Sequence, residues 1–167
     1  MALTTLAAIA VAALAIAYNE ATDQPVGAVL FSGQEALAAL VNSAPTLSVS
    51  TLVLLLVFKG LAWSISLGNF RGGPTFPALL LGVAAGLLAG DLPGLSETPA
   101  VAVLVGAACV SILRLPLASV VIALLLTTQA GLAIAPLIIV AVVVAYITTE
   151  VLYASRFSTT EPSPLSA

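Results

Sequence analysis

Gly68-Asn69-Phe70-Arg71-Gly72-Gly73-Pro74-Thr75-Phe76-Pro77 separates two apolar runs, and its reading decides the fold. The run before it, residues 47–67, is long enough to cross a bilayer, which takes about 20 apolar residues. The run after it, Ala78 to Ala89, covers roughly 20 Å at 1.5 Å per residue and falls short of a full crossing. Irregular backbone is tolerated at membrane depth only where it is buried in protein or lines a cavity. Gly/Pro interruptions between hydrophobic segments are the usual pointer to a transport site near the midplane. A helix starting after Pro77 opens with unpaired N–H groups and about half a positive charge from its dipole. Gly72 and Gly73 let the backbone approach a ligand closely, and Pro77 stands where a missing N–H costs least. Such a helix start is an anion site that needs no charged side chain, so the ion can leave again. The bland alternative is a helix–loop–helix link packed inside a bundle.

Composition places this stretch in a membrane. Of 167 residues, 61% are hydrophobic and 7% charged, against about 25% charged in a water-soluble domain. Lys59, Arg71, Arg114 and Arg156 are the basic residues, and with seven acidic ones the net charge is −3. No basic patch exists for nucleic acid. There is no histidine, and Cys109 is the single cysteine, which excludes an intrachain disulfide and leaves no zinc, haem or His-based acid–base pattern. No nucleophile is paired with a base, so an enzyme is the least supported class and no cofactor is expected.

Along the chain, residues 2–18 read as one apolar helix that ends at the polar turn Asn19 to Pro25. Met1 to Thr5 carries no Lys or Arg, so the segment is expected to be a retained membrane helix and not a signal peptide. Ser32-Gly33-Gln34-Glu35 has the form of a capping box opening a short helix over 32–42, which favours Glu35 as a cap over a proton carrier. Asn42 to Pro45 breaks the chain again. Lys59 lies well inside the 47–67 run and has two readings: a buried cation facing a partner or cavity, or a side chain snorkelling to the interface. Thr98-Pro99 suits a cap and first helical residue, with short helices expected over 99–113 and 117–130 and a spanning one over 133–153. Gly82 and Gly86 form a GxxxG-like packing face. The membrane domain is bounded at 1–154, followed by a Ser/Thr/Pro-rich tail, 155–167, expected to be disordered. Arg114 and Arg156 suggest cytoplasmic loops, with the acidic turn around Asp91 and Glu97 outside.

Lys59, Gly68, Gly72-Gly73, Pro77, Leu79, Gly82 and Gly86 together resemble the CLC family of chloride channels and chloride/proton antiporters. That family carries a lysine, a glycine nine residues on, a Gly-Gly, a GxFxP-type motif and P-x-L-x-x-G-x-x-x-G. Arg114-Leu115-Pro116-Leu117 is similar to its R-x-P-L, and Leu152-Tyr153-Ala154-Ser155 to the segment holding its pore tyrosine. The best match covers 60–155, and 26–59 fits more loosely. The resemblance implies that backbone at Gly73, Thr75, Phe76 and Pro77 binds the anion, with Tyr153 supplying a hydroxyl. Without it, Tyr153 reads as a belt aromatic beside Arg156. The chain departs from the family pattern in several places: Pro74 stands where a backbone N–H is used, Thr75 replaces a Phe and Phe76 comes one place late, the loop before Gly72 is one residue shorter, and Leu125 stands where many relatives have Glu.

Taken together, the expected fold is an all-α, polytopic membrane bundle with short broken helices, one inverted-repeat half of a CLC-like architecture. The serine-containing GSGIP-type motif and the GREGP-type motif with the gating glutamate, both of the first half, are not found. The implied function is voltage-gated chloride channel-like conduction or chloride transport across a cell membrane. The implied partners are the lipid bilayer, chloride, the N-terminal half and a second copy as a homodimer. A non-conducting truncated subunit and a different secondary transporter with broken helices stay open beside it.

Overall fold

Ser48 starts the central helix of the protein: its hydroxyl accepts from the Thr51 N–H at 3.2 Å, and its carbonyl takes the first helical bond from Leu52. From that cap the chain runs helical for 21 residues, Val49–Asn69, with no proline to stop it. The structure, a computed structural model, describes residues 2–43, 47–69, 73–128 and 131–157. Its described helices are α1 (Ala2–Thr22), α2 (Gly27–Leu30), α3 (Gln34–Ser43), α4 (Val49–Asn69), α5 (Thr75–Gly90), α6 (Glu97–Leu113), α7 (Pro116–Leu126) and α8 (Ala135–Phe157), with a 3₁₀ turn, Leu132–Ile134, leading into α8. Among the described residues, three helical stretches are long and apolar enough to cross a membrane: Leu3–Thr22, Val49–Asn69 and Ala135–Ser155. Arg71 and Gly72 of the deciding stretch, the break at Ala44 and Pro45, and the tail from 158 onward lie outside the described residues.

Two stripes bring α1 and α4 together. Ala7, Val11, Ala15 and Tyr18 recur at helical spacing on α1, and Leu52, Leu55, Lys59 and Ala62 do so on α4; all are buried. Tyr18 and Phe58 close this contact with ring centroids 6.1 Å apart. Lys59 therefore belongs to the buried stripe, which decides between its two sequence readings: it does not snorkel.

The second layer is the hairpin α5–α6, the most extensive packing in the protein. A Cβ built on Gly82 would lie 2.9 Å from the Val105 Cα and 3.0 Å from the Leu104 carbonyl oxygen. One on Gly86 would collide with the Val101 Cα, and one on Gly90 would come within 2.7 Å of the Glu97 Cα. The expected Gly82–Gly86 face is thus real and one turn longer, a strip on which two backbones touch. In lipid, where apolar side chains gain nothing by leaving water, such close van der Waals packing is what holds helices together. On its far side α6 packs on α8, where Ile138 and Val142 flank Gly106. The outer face of α8, with Val140, Val144, Ile147 and Val151, stays exposed and apolar, as a lipid-facing surface requires.

Hydroxyls within the helices bond back to their own backbone. Ser64, Ser66, Ser111, Ser119, Thr127, Thr148 and Thr149 each donate to the carbonyl four residues earlier.

Several element starts differ from the sequence expectation. The first bond of α3 is accepted by the Gly33 carbonyl, so Gly33 holds the cap position given to Ser32 in the sequence reading. At φ +90° Gly33 occupies backbone that disfavours any side chain. Helix α6 begins at Glu97 after an extended Ser96, two residues before the expected start, which puts a carboxylate in its first turn. It ends on Arg114 in the left-handed region, after which Pro116 opens α7.

Candidate functional site

Helix α5 begins three residues before the expected position. Pro74 is its N-cap, and the first helical bond runs from Ala78 N–H to the Pro74 carbonyl at 3.2 Å. Pro77 then occupies the third helical position, where its missing N–H is no loss. The donors left without an intrahelical partner are the amides of Thr75 and Phe76. Pro74 contributes none, so this helix start offers fewer donors than an ordinary one.

On either side of these two residues, Gly73 and Pro77 line a cavity of about 200 Å³, together with Lys59, Trp63, Ser66 and Ser32 among others; Thr75 and Phe76 are not among the described residues that line it. At about 30 Å³ per water, that is room for a small ion with part of its hydration shell. Cavities that take drug-sized organic molecules run from roughly 300 Å³ upward, so the space is small for an organic substrate. Gly73 is exposed and a Cβ there would meet nothing within 4 Å, whereas Pro77 is buried.

Lys59 gives the cavity its charge. It is ten residues from each end of α4, about 15 Å of helix either way, and is 2% exposed. Its ammonium donates to the carbonyl of Val29 at 3.1 Å and to that of Phe31. These oxygens sit at the end of the four-residue α2 and lower the cost of a cation at this depth without neutralising it by a carboxylate. Nothing in the sequence marks them, since backbone carbonyls carry no residue signature and four residues are too few to show a period. Trp63, one turn after Lys59 on the same helix, was within reach of the helical spacing rule but is singled out only by the cavity.

A larger cavity of about 440 Å³ lies among α1, α2, α3 and α4 and shares Phe31 and Ser32 with the smaller one. The turn 31–33 is wedged against α5, with a Cβ built on Gly33 falling 2.8 Å from the Leu80 Cδ2.

Of the residues expected at the site, Gly73 and Pro77 line one cavity, and Thr75 and Phe76 stand between them in the chain, with Phe76 40% exposed. Tyr153 is placed elsewhere. It lies near the end of α8, its ring 4.1 Å beneath the Arg114 guanidinium, which also pairs with Glu150 at 3.6 Å. It is not among the described residues that line the cavity at α5. Leu125, on α7, is exposed.

Spanning helices interleaved with short ones, and a buried cation sharing one small cavity with Gly73 and Pro77 at the break before α5, define a multi-pass membrane protein built around broken helices. A family model described as the voltage gated chloride channel matches residues 1–150, and the chain belongs to that family. The family is one of channels and antiporters and is not an enzyme family. The match stops short of Tyr153. No curated protein and no solved structure matches the chain.

Proposed function

We propose that the chain passes anions, chloride first among them, across the membrane through a site at the start of α5, as the second of two inverted halves of a CLC-type pore. The observation that carries this is that Gly73 and Pro77, which bracket the two free amides at the start of α5, line one cavity of about 200 Å³ together with Lys59, whose ammonium is buried midway along a spanning helix. The amides and the lysine attract an anion, and because the lysine is already bonded to carbonyls the attraction is partial, which allows release. Conduction of the voltage-gated channel kind and chloride–proton exchange are both compatible with such a site. The complementary half and a second copy of the chain are the proposed partners, and the cell membrane the proposed location.

Chloride efflux from liposomes tests the proposal, with the full chain co-assembled with a complementary half. Gly73→Val adds bulk at the cavity, at a position where a Cβ meets nothing within 4 Å, and is expected to cut the flux severalfold. Tyr153→Phe removes only the hydroxyl and leaves the ring beneath Arg114. A loss of flux there brings Tyr153 into the anion path, and no change assigns it to the Arg114 cluster. Parent-level flux in Gly73→Val sinks the site at α5. The second reading, a non-conducting subunit, is favoured by the donor that Pro74 removes from the helix start, and it predicts no flux in any variant.

A further inference from the structure

We infer that Lys59 is a positioning residue: by holding the carbonyls of Val29 and Phe31 it fixes the turn Phe31-Ser32-Gly33 as the partition between the two adjoining cavities, and so sets which anions cross. The inference rests on the reading that anions bind at the start of α5, and it goes beyond that reading by assigning the barrier next to the site. The two cavities, about 440 and 200 Å³, have Phe31 and Ser32 in common, so this turn separates them. The turn has little to hold itself. Helix α2 has four residues, and its last bond, Phe31 N–H to the Gly27 carbonyl, is long at 3.5 Å. An isolated turn of helix is not stable in its own right.

Two outside contacts fix the turn instead. On one side the Lys59 ammonium takes both carbonyls; on the other, the absent side chain of Gly33 lets the backbone sit against Leu80 of α5. An ammonium has three donors, and these bonds use two. The charge of Lys59 is thus spent on geometry as much as on attraction. With the turn fixed, Phe31 and Ser32 present a constant edge to the smaller cavity. With it loose, the edge moves and the two spaces merge.

The test uses the full chain in a Cys109→Ala background, which removes the single native thiol. Val29→Cys then places a probe at a position that is 2% exposed. Its modification by a charged thiosulfonate is expected to be slow with Lys59 present and to speed up about tenfold or more in Lys59→Met, roughly the weight of one charge-assisted hydrogen bond. Lys59→Gln keeps a neutral donor and is expected to show a smaller rise, which also supplies the readout if the Met variant does not reach the membrane. In liposomes with the complementary half, the same variants should shift the chloride/nitrate permeability ratio, which general loosening that only lowers the amount of active protein would not do. A parent-like labelling rate in both variants overturns the inference. Faster labelling with an unchanged permeability ratio also overturns it and leaves the site at α5 standing. Absence of anion flux from every chain, the parent included, removes the α5 reading and the inference with it.

Discussion

Replacing Gly86 by alanine adds one methyl group at the tightest point of the protein. The methyl would fall on the Val101 Cα and within 2.9 Å of the Val101 N. Ordinary contacts of this kind are about 3.4–4 Å, so α6 must move away by the order of 1 Å, and the strip from Gly82 to Gly90 opens with it. Overpacking of this size costs roughly 1–3 kcal/mol. Alanine also gains about 0.5–1 kcal/mol over glycine inside a helix. The net expectation is a loss of about 1–2 kcal/mol. Gly60 supplies the control, since it is also helical and a Cβ there meets nothing within 4 Å. Gly60→Ala should therefore gain about 0.5–1 kcal/mol. The two variants should differ by roughly 1.5–3 kcal/mol when the full chain in detergent micelles is unfolded with dodecyl sulfate and followed by far-UV circular dichroism. Gly82→Ala, with its nearest atoms at 2.9 and 3.0 Å, belongs between them. If Gly86→Ala is as stable as Gly60→Ala, the two backbones are not in contact and the packing account of the hairpin fails.

Trp63 is the single tryptophan and lines the cavity at α5. Iodide should quench its fluorescence and excess chloride should protect it; quenching by neutral acrylamide but not by iodide would show that anions do not enter. Arg114→Ala removes an ion pair and a cation–π contact that are partly exposed, so it should cost about 1 kcal/mol in the same unfolding titration. Glu150→Gln removes only the ion pair and should cost below about 0.5 kcal/mol; equal losses would mean the ring under Arg114 contributes nothing. Gly33→Ala and Gly94→Ala both force a methyl onto positive φ, at +90° and +95°, but only Gly33 has Leu80 against it. The Gly33 variant should lose about 1–3 kcal/mol more than the Gly94 one, and equal losses would remove the wedge against α5.

The spanning helices were legible because length and apolarity alone define them. Residues 47–67 became Val49–Asn69 and 133–153 became Ala135–Phe157, shifted only where caps and fraying decide the ends. The first helix runs to Thr22, past the expected 18, because Asn19, Glu20 and Thr22 are polar without being helix breakers. The Gly82–Gly86 face could be read since glycine at helical spacing has one physical use in lipid. Lys59 was readable as a costly charge, but not as a tether. Its acceptors are main-chain oxygens of a helix too short to leave a pattern, thirty and twenty-eight residues away. The residues expected at the anion site divide in the same way. Gly73 and Pro77 belong to one continuous segment and arrive together at the cavity, whereas Tyr153 depends on how α8 packs on α6, which local sequence does not encode.

Helices α5 and α6, 16 and 17 residues long, have consequences for how the chain is made. Each is shorter than the stretch that a translocation channel releases sideways on its own, and each carries backbone at its ends that oil will not accept. The glycine strip makes them one object, joined through Asp91 to Ser96. Synthesis must therefore reach about Leu113 before α5 can be committed to the bilayer, and the two leave the channel as a folded pair.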